Sequence, residues 1–189
     1  MSAIGYDRTS SAGLLNVRCW LESRHRRPAA DPTLVCEYHD LGPAFGRGFL
    51  VADAHNLPFG DESIDVLFAI LADPYNLPKY WEESARVMRP RGLMVFLVPS
   101  YVWTCKFRTS DPNEHDAVAR FELRNGVELF VPSYILSAPE QIALAREYGF
   151  ETVDFRTVSK EHLQRIRSPK LCLLEPNDAV VEGYVLRNQ

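Results

Sequence analysis

The chain has no C-x-x-C pair. Its four cysteines, Cys19, Cys36, Cys105 and Cys172, stand far apart in 189 residues. That spacing excludes a zinc ribbon and a secreted disulfide scaffold, and it predicts reduced thiols in a cytoplasmic protein. Long apolar runs are missing too. None approaches the ~20 residues a membrane-spanning helix needs. The longest, Val66 to Ala72 and Leu93 to Val98, are strand-sized. No apolar segment follows a basic start, so no signal peptide is expected. Positive charge is not in excess. The net charge of -4 argues against non-specific nucleic-acid binding. Repeats and low-complexity segments are absent. What remains is ordinary globular chemistry: 46% of the residues are hydrophobic, enough for one domain with a sizeable core.

Residues 49–99 carry most of the information. An apolar strand ends in Asp53-Ala54, and Leu57-Pro58-Phe59 forms a turn. A second strand is expected over Ile64 to Leu71. A helix carrying Trp81, Glu82, Glu83, Arg86 and Val87 follows. The turn Arg89-Pro90-Arg91-Gly92 then leads to a third strand, Leu93 to Val98. Strand, helix and strand in that order predict a βαβ unit in a parallel sheet. FLVAD, IDVLFAI and LMVFLV are expected as neighbours in it. In open parallel sheets, ligands sit beyond the carboxyl ends of the strands. Asp53 stands at such an end, where a carboxylate can accept hydrogen bonds from a nucleoside.

This stretch resembles the central part of a class I S-adenosylmethionine-dependent methyltransferase. The matching positions are Asp53, Ala54, Leu57, Pro58, Phe59, Asp61, Ser63, Asp65, Val66, Arg86, Val87, Pro90 and Gly92. Ile64 stands where that family has Phe, Met88 where it has Leu, Arg89 where it has Lys, and Arg91 where it has the first Gly of a Gly-Gly pair. The resemblance implies a Rossmann-like three-layer α/β fold. Its sheet is mostly parallel, with an antiparallel strand near the carboxyl terminus. The implied cofactor is S-adenosyl-L-methionine. Asp53 would take the adenine amino group, and the Ala54 N–H a ring nitrogen. Leu71 and Ala72 would line the cofactor. Glu37, at the end of a short strand Thr33 to Tyr38, would hold the ribose, with Asp40 as second choice.

The family's glycine-rich loop has no full counterpart here, because no G-x-G-x-G occurs in the chain. The stretch from Tyr6 to Leu15 is the best replacement. Asp7 would be its acidic residue and Gly13 its last glycine, with Thr9 and Ser11 in place of the earlier two. The strand before it, Met1 to Gly5, would be short and incomplete. The plainer reading is a loose tail with Ser10 or Ser11 capping a helix from Gly13 to His25. Side chains at Thr9 and Ser11 would crowd a close backbone approach, so cofactor binding is expected to be weak or lost.

The chain is read as one domain, 1–189, with a divergent amino-terminal segment 1–32 and a substrate-side insertion 101–137. Within the insertion, Val118 to Leu123 and Val127 to Val131 flank Asn125-Gly126, a strong hairpin signal. A helix is expected over Ala138 to Tyr148, with Pro139 in its first turn and Gly149 ending it. Phe150 to Val158 and Ala179 to Leu186 read as closing strands. Asp73-Pro74-Tyr75 looks like a shortened Asp-Pro-Pro-Tyr motif of amino-group methyltransferases. The plainer reading is a proline turn entering a helix, with Tyr75, Tyr80 and Trp81 as core or lid.

Two functions stay open. One is an enzyme that methylates a small-molecule acceptor, with Tyr75, Trp81 and Trp103 walling the acceptor pocket and no obligatory catalytic base. The other is a non-catalytic methyltransferase-like subunit that binds a partner protein or a second copy of itself. The missing glycine loop favours the second. No metal and no membrane are expected in either.

Overall fold

The computed structural model describes residues 52–110, 117–122, 126–163 and 169–189, together with the backbone of 5–7, 14–15 and 47–49. Its centre is the expected βαβ unit. Strand β4 (Ile64–Ile70), helix α1 (Pro78–Val87) and strand β5 (Met88–Pro99) follow one another, and β4 and β5 pair in parallel from Val66↔Leu93 to Ile70↔Leu97. Strand β9 (Ala179–Asn188) lies antiparallel to β5, and β8 (Phe150–Ser159) lies antiparallel to β9 at the edge. On the other side, the two-residue strand β2 (Leu14–Leu15) pairs in parallel with Val66 and Leu67. The sheet order is therefore β2-β4-β5-β9-β8. This is a Rossmann-like α/β sheet with one antiparallel strand near the carboxyl terminus.

The expected turn at 89–92 sits inside β5 as an irregularity. Ile64 pairs with Met88, but Val66 pairs with Leu93, so extra residues loop out of β5 between the two pairs. Arg91 there takes φ 68, a backbone region that favours glycine. Gly92 is packed so tightly that an added Cβ would lie 2.9 Å from the Arg89 carbonyl and 3.1 Å from that of Asp65.

Two expectations fail at the amino-terminal side. Phe49, the first residue of FLVAD, is not paired with IDVLFAI, and Leu50 and Val51 lie outside the described residues. Strand β3 (Arg47–Phe49) instead pairs antiparallel with β1 (Gly5–Asp7) in a separate two-stranded ribbon. Parallel neighbours need a crossover of about a dozen residues or more, usually a helix. Between Asp53 and Ile64 the chain forms only turns and bends. The helix expected from Gly13 also does not start there, since Leu14–Leu15 is strand. The open edge of β4 offers backbone partners, and that pairing overrides local helical periodicity. The expected strands Met1 to Gly5 (apart from Gly5) and Thr33 to Tyr38, and the rest of the helix to His25, lie outside the described residues.

The core is aromatic. Tyr80, Trp81, Ser84 and Val87 form the buried stripe of α1, spaced three and four residues apart. Trp81 packs 5.0 Å from the Phe96 ring and 5.6 Å from that of Phe150. Helix α3 (Ala138–Glu147) joins the same face through Ile142 and Ala145. It starts where expected: the Glu140 carboxylate accepts the Ser137 backbone N–H at 2.9 Å, and Gly149 ends the helix at φ 84. The hairpin of β6 (Val118–Glu122) and β7 (Glu128–Pro132) also forms as expected.

Helix α2 (Tyr101–Ser110) was not legible as a helix. Tertiary partners cap its first turn. The Tyr101 N–H donates to buried Glu182 at 3.1 Å, and the Trp103 N–H donates to the Ser100 hydroxyl at 3.1 Å. Among the described residues, no helix is long and apolar enough to cross a membrane.

Candidate functional site at the carboxyl ends of β4 and β5

The two ends of the parallel sheet are built differently. At the amino end, Arg86 closes α1 onto the Leu57-Pro58-Phe59 turn. It donates to the carbonyls of Phe59 at 3.0 Å and Leu57 at 3.1 Å, and to Glu83 and Asp61 at 2.6 Å each. Glu83 in turn accepts the Leu57 N–H at 2.6 Å. The Arg86 guanidinium holds the Glu83 carboxyl below its ordinary range. Arg89 pairs with both oxygens of Asp65, at 2.7 and 2.8 Å. Thus Leu57, Phe59, Asp61, Asp65 and Arg86, which carry much of the family resemblance, form a structural clamp. A hollow of about 370 Å³ lies at this end, lined by Glu62, Arg86, Met88, Tyr148, Gly149 and Asn188 among others. Arg86 and Asn188 already bond to the protein there, so the hollow presents little unspent chemistry.

At the carboxyl end, chemistry is left over. Asp53 closes its own turn: its carbonyl accepts the Asn56 N–H at 3.0 Å. Its Oδ1 accepts the His55 N–H at 2.9 Å and faces His55 Nδ1 at 3.0 Å. This is the usual way an Asp side chain organises a turn. It fixes one carboxylate oxygen. Oδ2 has no protein partner among the described residues, and the Asp53 side chain is 41% exposed. Behind it, Ala54 and Leu57 are buried. The His55 ring meets Tyr75 edge-on, 6.0 Å between centroids, which joins this turn to the one after β4.

That second turn is strained. Leu71 takes φ 55 with its side chain 47% exposed. A bulky residue in this region costs roughly 1–3 kcal/mol and persists only where its surroundings enforce it. Here the Leu71 and Ala72 N–H groups both donate to the Leu97 carbonyl, at 2.8 and 3.3 Å. Asp73 follows, buried, with its carboxylate accepting the Ser133 hydroxyl at 2.7 Å. Burial pushes the Asp73 carboxyl above its ordinary range. The Ser133 hydrogen bond and the Arg108 charge oppose that shift. Asn76 is buried as well, donating to the Tyr134 carbonyl at 2.9 Å and accepting the Trp81 indole N–H at 2.9 Å.

The structure therefore brings Asp53, Ala54, Leu71, Ala72 and Tyr75 to one end of the sheet. It does not add Trp81 and Trp103 to that group. Trp81 is fully buried in the core. Trp103 packs with Leu171, Leu174 and Val180 and donates to the Lys170 carbonyl at 3.0 Å. The expected aromatic wall of three is thus corrected: an indole on a helix stripe beside Phe96 is drawn inward. Tyr75 is itself almost wholly buried, at 1%. Glu37 and Gly13 lie outside the described residues. Neither His55 nor Ser133, which follows Pro132 at the end of a hairpin, stands in a motif that sequence reasoning singles out. No cluster that could hold a metal occurs among the described residues.

Comparisons with known proteins agree with this fold. Residues 33–96 match the family model described as a methyltransferase domain. A malonyl-[acyl-carrier protein] O-methyltransferase of Methylococcus capsulatus is 34% identical over an 82-residue alignment, covering 36% of this chain and 30% of that enzyme. An S-adenosylmethionine-dependent methyltransferase structure from Methanosarcina mazei superposes with TM-score 0.52 at 16% identity, covering 71% of this chain and 64% of that one. One from Mesorhizobium loti gives 0.53 at 15%, covering 78% and 72%. The complex of the Haloferax volcanii Trm112 methyltransferase activator with a methyltransferase gives 0.50 at 17%, covering 73% and 60%. At these identities, the structural likeness is one of fold. The sheet defines a Rossmann-like α/β domain. Residues 33–96 are thus similar to a methyltransferase domain, and the sheet shares its fold with S-adenosylmethionine-dependent methyltransferases. The chain spans under a third of the length of the curated relative it matches.

Proposed function

We propose that the chain binds S-adenosylmethionine at the carboxyl ends of β4 and β5 and directs methyl transfer to a small-molecule acceptor. The carrying observation is Asp53. One of its oxygens is pinned by His55, the other has no protein partner among the described residues, and the group is half-exposed at the ligand end. An acceptor-only carboxylate held in this way suits an adenine amino group. The Ala54 N–H would meet a ring nitrogen, Leu71 and Ala72 would line the nucleoside, Glu37 would hold the ribose, and Gly13 would close the amino-terminal loop. Tyr75 supports the acceptor side from beneath, through His55. The cofactor supplies an electrophilic methyl on a sulfonium. The protein's task is alignment and exclusion of water, which can provide most of the acceleration without a base.

A second reading is favoured by the missing glycine loop. Thr9 and Ser11 would stand, by the family resemblance, where close approach is needed, so the isolated chain would bind weakly and a partner chain would complete the site. The Haloferax volcanii neighbour was solved with an activator, which supports considering a partner of that kind. Titration with S-adenosylhomocysteine separates the readings. Binding that weakens in Asp53→Ala supports the first. Binding that appears only with a partner chain supports the second. Absence of binding in both settings removes both.

A further inference from the structure

The buried carboxylate of Asp73 is not used by the site described above. It sits in the turn after β4, where the sheet presents its ligand end. Three separate segments meet around the turn that carries it, and one of them, through Ser133, bonds the carboxylate itself. From the hairpin exit, the Ser133 hydroxyl donates to Asp73 Oδ2 at 2.7 Å, and the Tyr134 N–H donates to the Asp73 carbonyl at 2.9 Å. From α2, Arg108 donates to the Ser133 carbonyl at 2.8 Å. From α3, Gln141 accepts at 2.7 Å from Asn76, whose own N–H leans back to the Asp73 carbonyl at 3.3 Å. Helix α2 and the hairpin leave β5 at its carboxyl end and return at Ser133, so the loop they form begins and ends beside the ligand end of the sheet.

We propose that Asp73 is a positioning residue, a latch whose bond to Ser133 holds the hairpin of β6 and β7 against the turn after β4 and so sets the acceptor-facing wall. The acceptor-facing part of this statement rests on the proposed methyl transfer; the latch itself rests on geometry alone. It differs from a direct substrate contact, since the carboxylate is 7% exposed and already occupied.

The latch has a direction in pH. Burial is the main cause of the raised Asp73 pKa, and Arg108 is the charged group that acts against it. Release of the segment would return Asp73 to solvent and to an ordinary carboxyl value near 3.8. The latched state therefore binds the proton more tightly than the released state. Latching is strongest below that ordinary value and weakens as pH rises through the raised one. Acid tightens this contact, the reverse of a carboxylate held by a salt bridge.

The test is amide hydrogen exchange on the full chain without cofactor, corrected for the intrinsic pH dependence of exchange. Loss of a hydrogen bond to a buried charged group corresponds to roughly tenfold or more in opening. Ser133→Ala and Asp73→Ala should raise exchange in 118–122 and 128–134 by about that factor, with β5 and β9 unchanged. Asp73→Asn keeps an acceptor and loses the charge. It should restore protection to at least the wild-type level and remove the pH dependence, while the wild type should open further from about pH 4 to pH 7. Unchanged hairpin protection in Ser133→Ala and Asp73→Ala overturns the latch. Equal loosening of β5 and β9 also overturns it, since the role would then be general stability. Asn failing to rescue, or a wild type that tightens with rising pH, is equally contrary. Failure to bind S-adenosylhomocysteine would count against the proposed function and leave this measurement intact.

Discussion

The two ends of the parallel sheet differ in how their polar groups are spent. At the amino end, Arg86 shares its guanidinium among two carbonyls and two carboxylates, and Arg89 matches Asp65 with two bonds. These groups have found partners within the chain. At the carboxyl end, one Asp53 oxygen has no partner among the described residues, Leu71 is held in a left-handed conformation, and Asp73 is buried against its preference for water. Stability is concentrated at one end and unspent polar chemistry at the other. The family motif runs across both ends, which is why its residues do not share one role.

The sharpest way to break the contrast is at the clamp. Arg86→Ala leaves Glu83 without its cation and the Leu57–Phe59 turn without its donor. It should cost roughly 2–3 kcal/mol of stability, read by urea unfolding. Affinity for S-adenosylhomocysteine should hold below the unfolding midpoint. A stable Arg86→Ala protein with lost affinity would put the ligand at the wrong end.

The clamp also carries a pH signature. Glu83 is held below its ordinary value of 4.5, chiefly by its bond to Arg86. Its contribution is therefore fully present above that value and disappears as pH falls through the lowered one. Unfolding measured across this acid range should show stability falling with pH, and Arg86→Ala should flatten the slope. An equal slope in both proteins would assign the effect to other carboxylates.

Smaller effects distinguish two of the left-handed residues. Leu71 at φ 55 and Arg91 at φ 68 both occupy a region that favours glycine. Leu71→Gly should relieve about 1 kcal/mol of strain after the entropy cost of glycine, raising Tm by about 2–4 °C while weakening cofactor binding. Arg91→Gly should gain about 0.5 kcal/mol and leave binding untouched. If Leu71→Gly binds as well as the wild type, the strain at the ligand end serves something else.

Much of this architecture could be read from sequence where signals are local. Alternating apolar residues marked β4 and β5. Pro139 and Gly149 marked the limits of α3, and an Asn-Gly pair marked the hairpin. Legibility failed where distant partners decide the outcome. The first turn of α2 is capped by Ser100 and by Glu182, some eighty residues along the chain, and nothing nearby in sequence announces this. FLVAD looked like a sheet neighbour because apolar alternation says nothing about the crossover a parallel pair requires. At the candidate site, Asp53 drew notice because a strand-end carboxylate has a chemical meaning. The Asp73–Ser133 pair was hidden by a separation of 60 residues. Trp81 was misassigned because an indole can wall a pocket or fill a core, and only the position of Phe96 and Phe150 decides.

The most direct measurement is calorimetric titration of S-adenosylhomocysteine into the wild-type chain and Asp53→Ala. The account predicts wild-type affinity in the micromolar to millimolar range, about −4 to −8 kcal/mol. It predicts a further loss of about 1–3 kcal/mol in Asp53→Ala, with circular dichroism unchanged. Equal affinity in the two proteins would contradict it, because Asp53 would then lie outside the site.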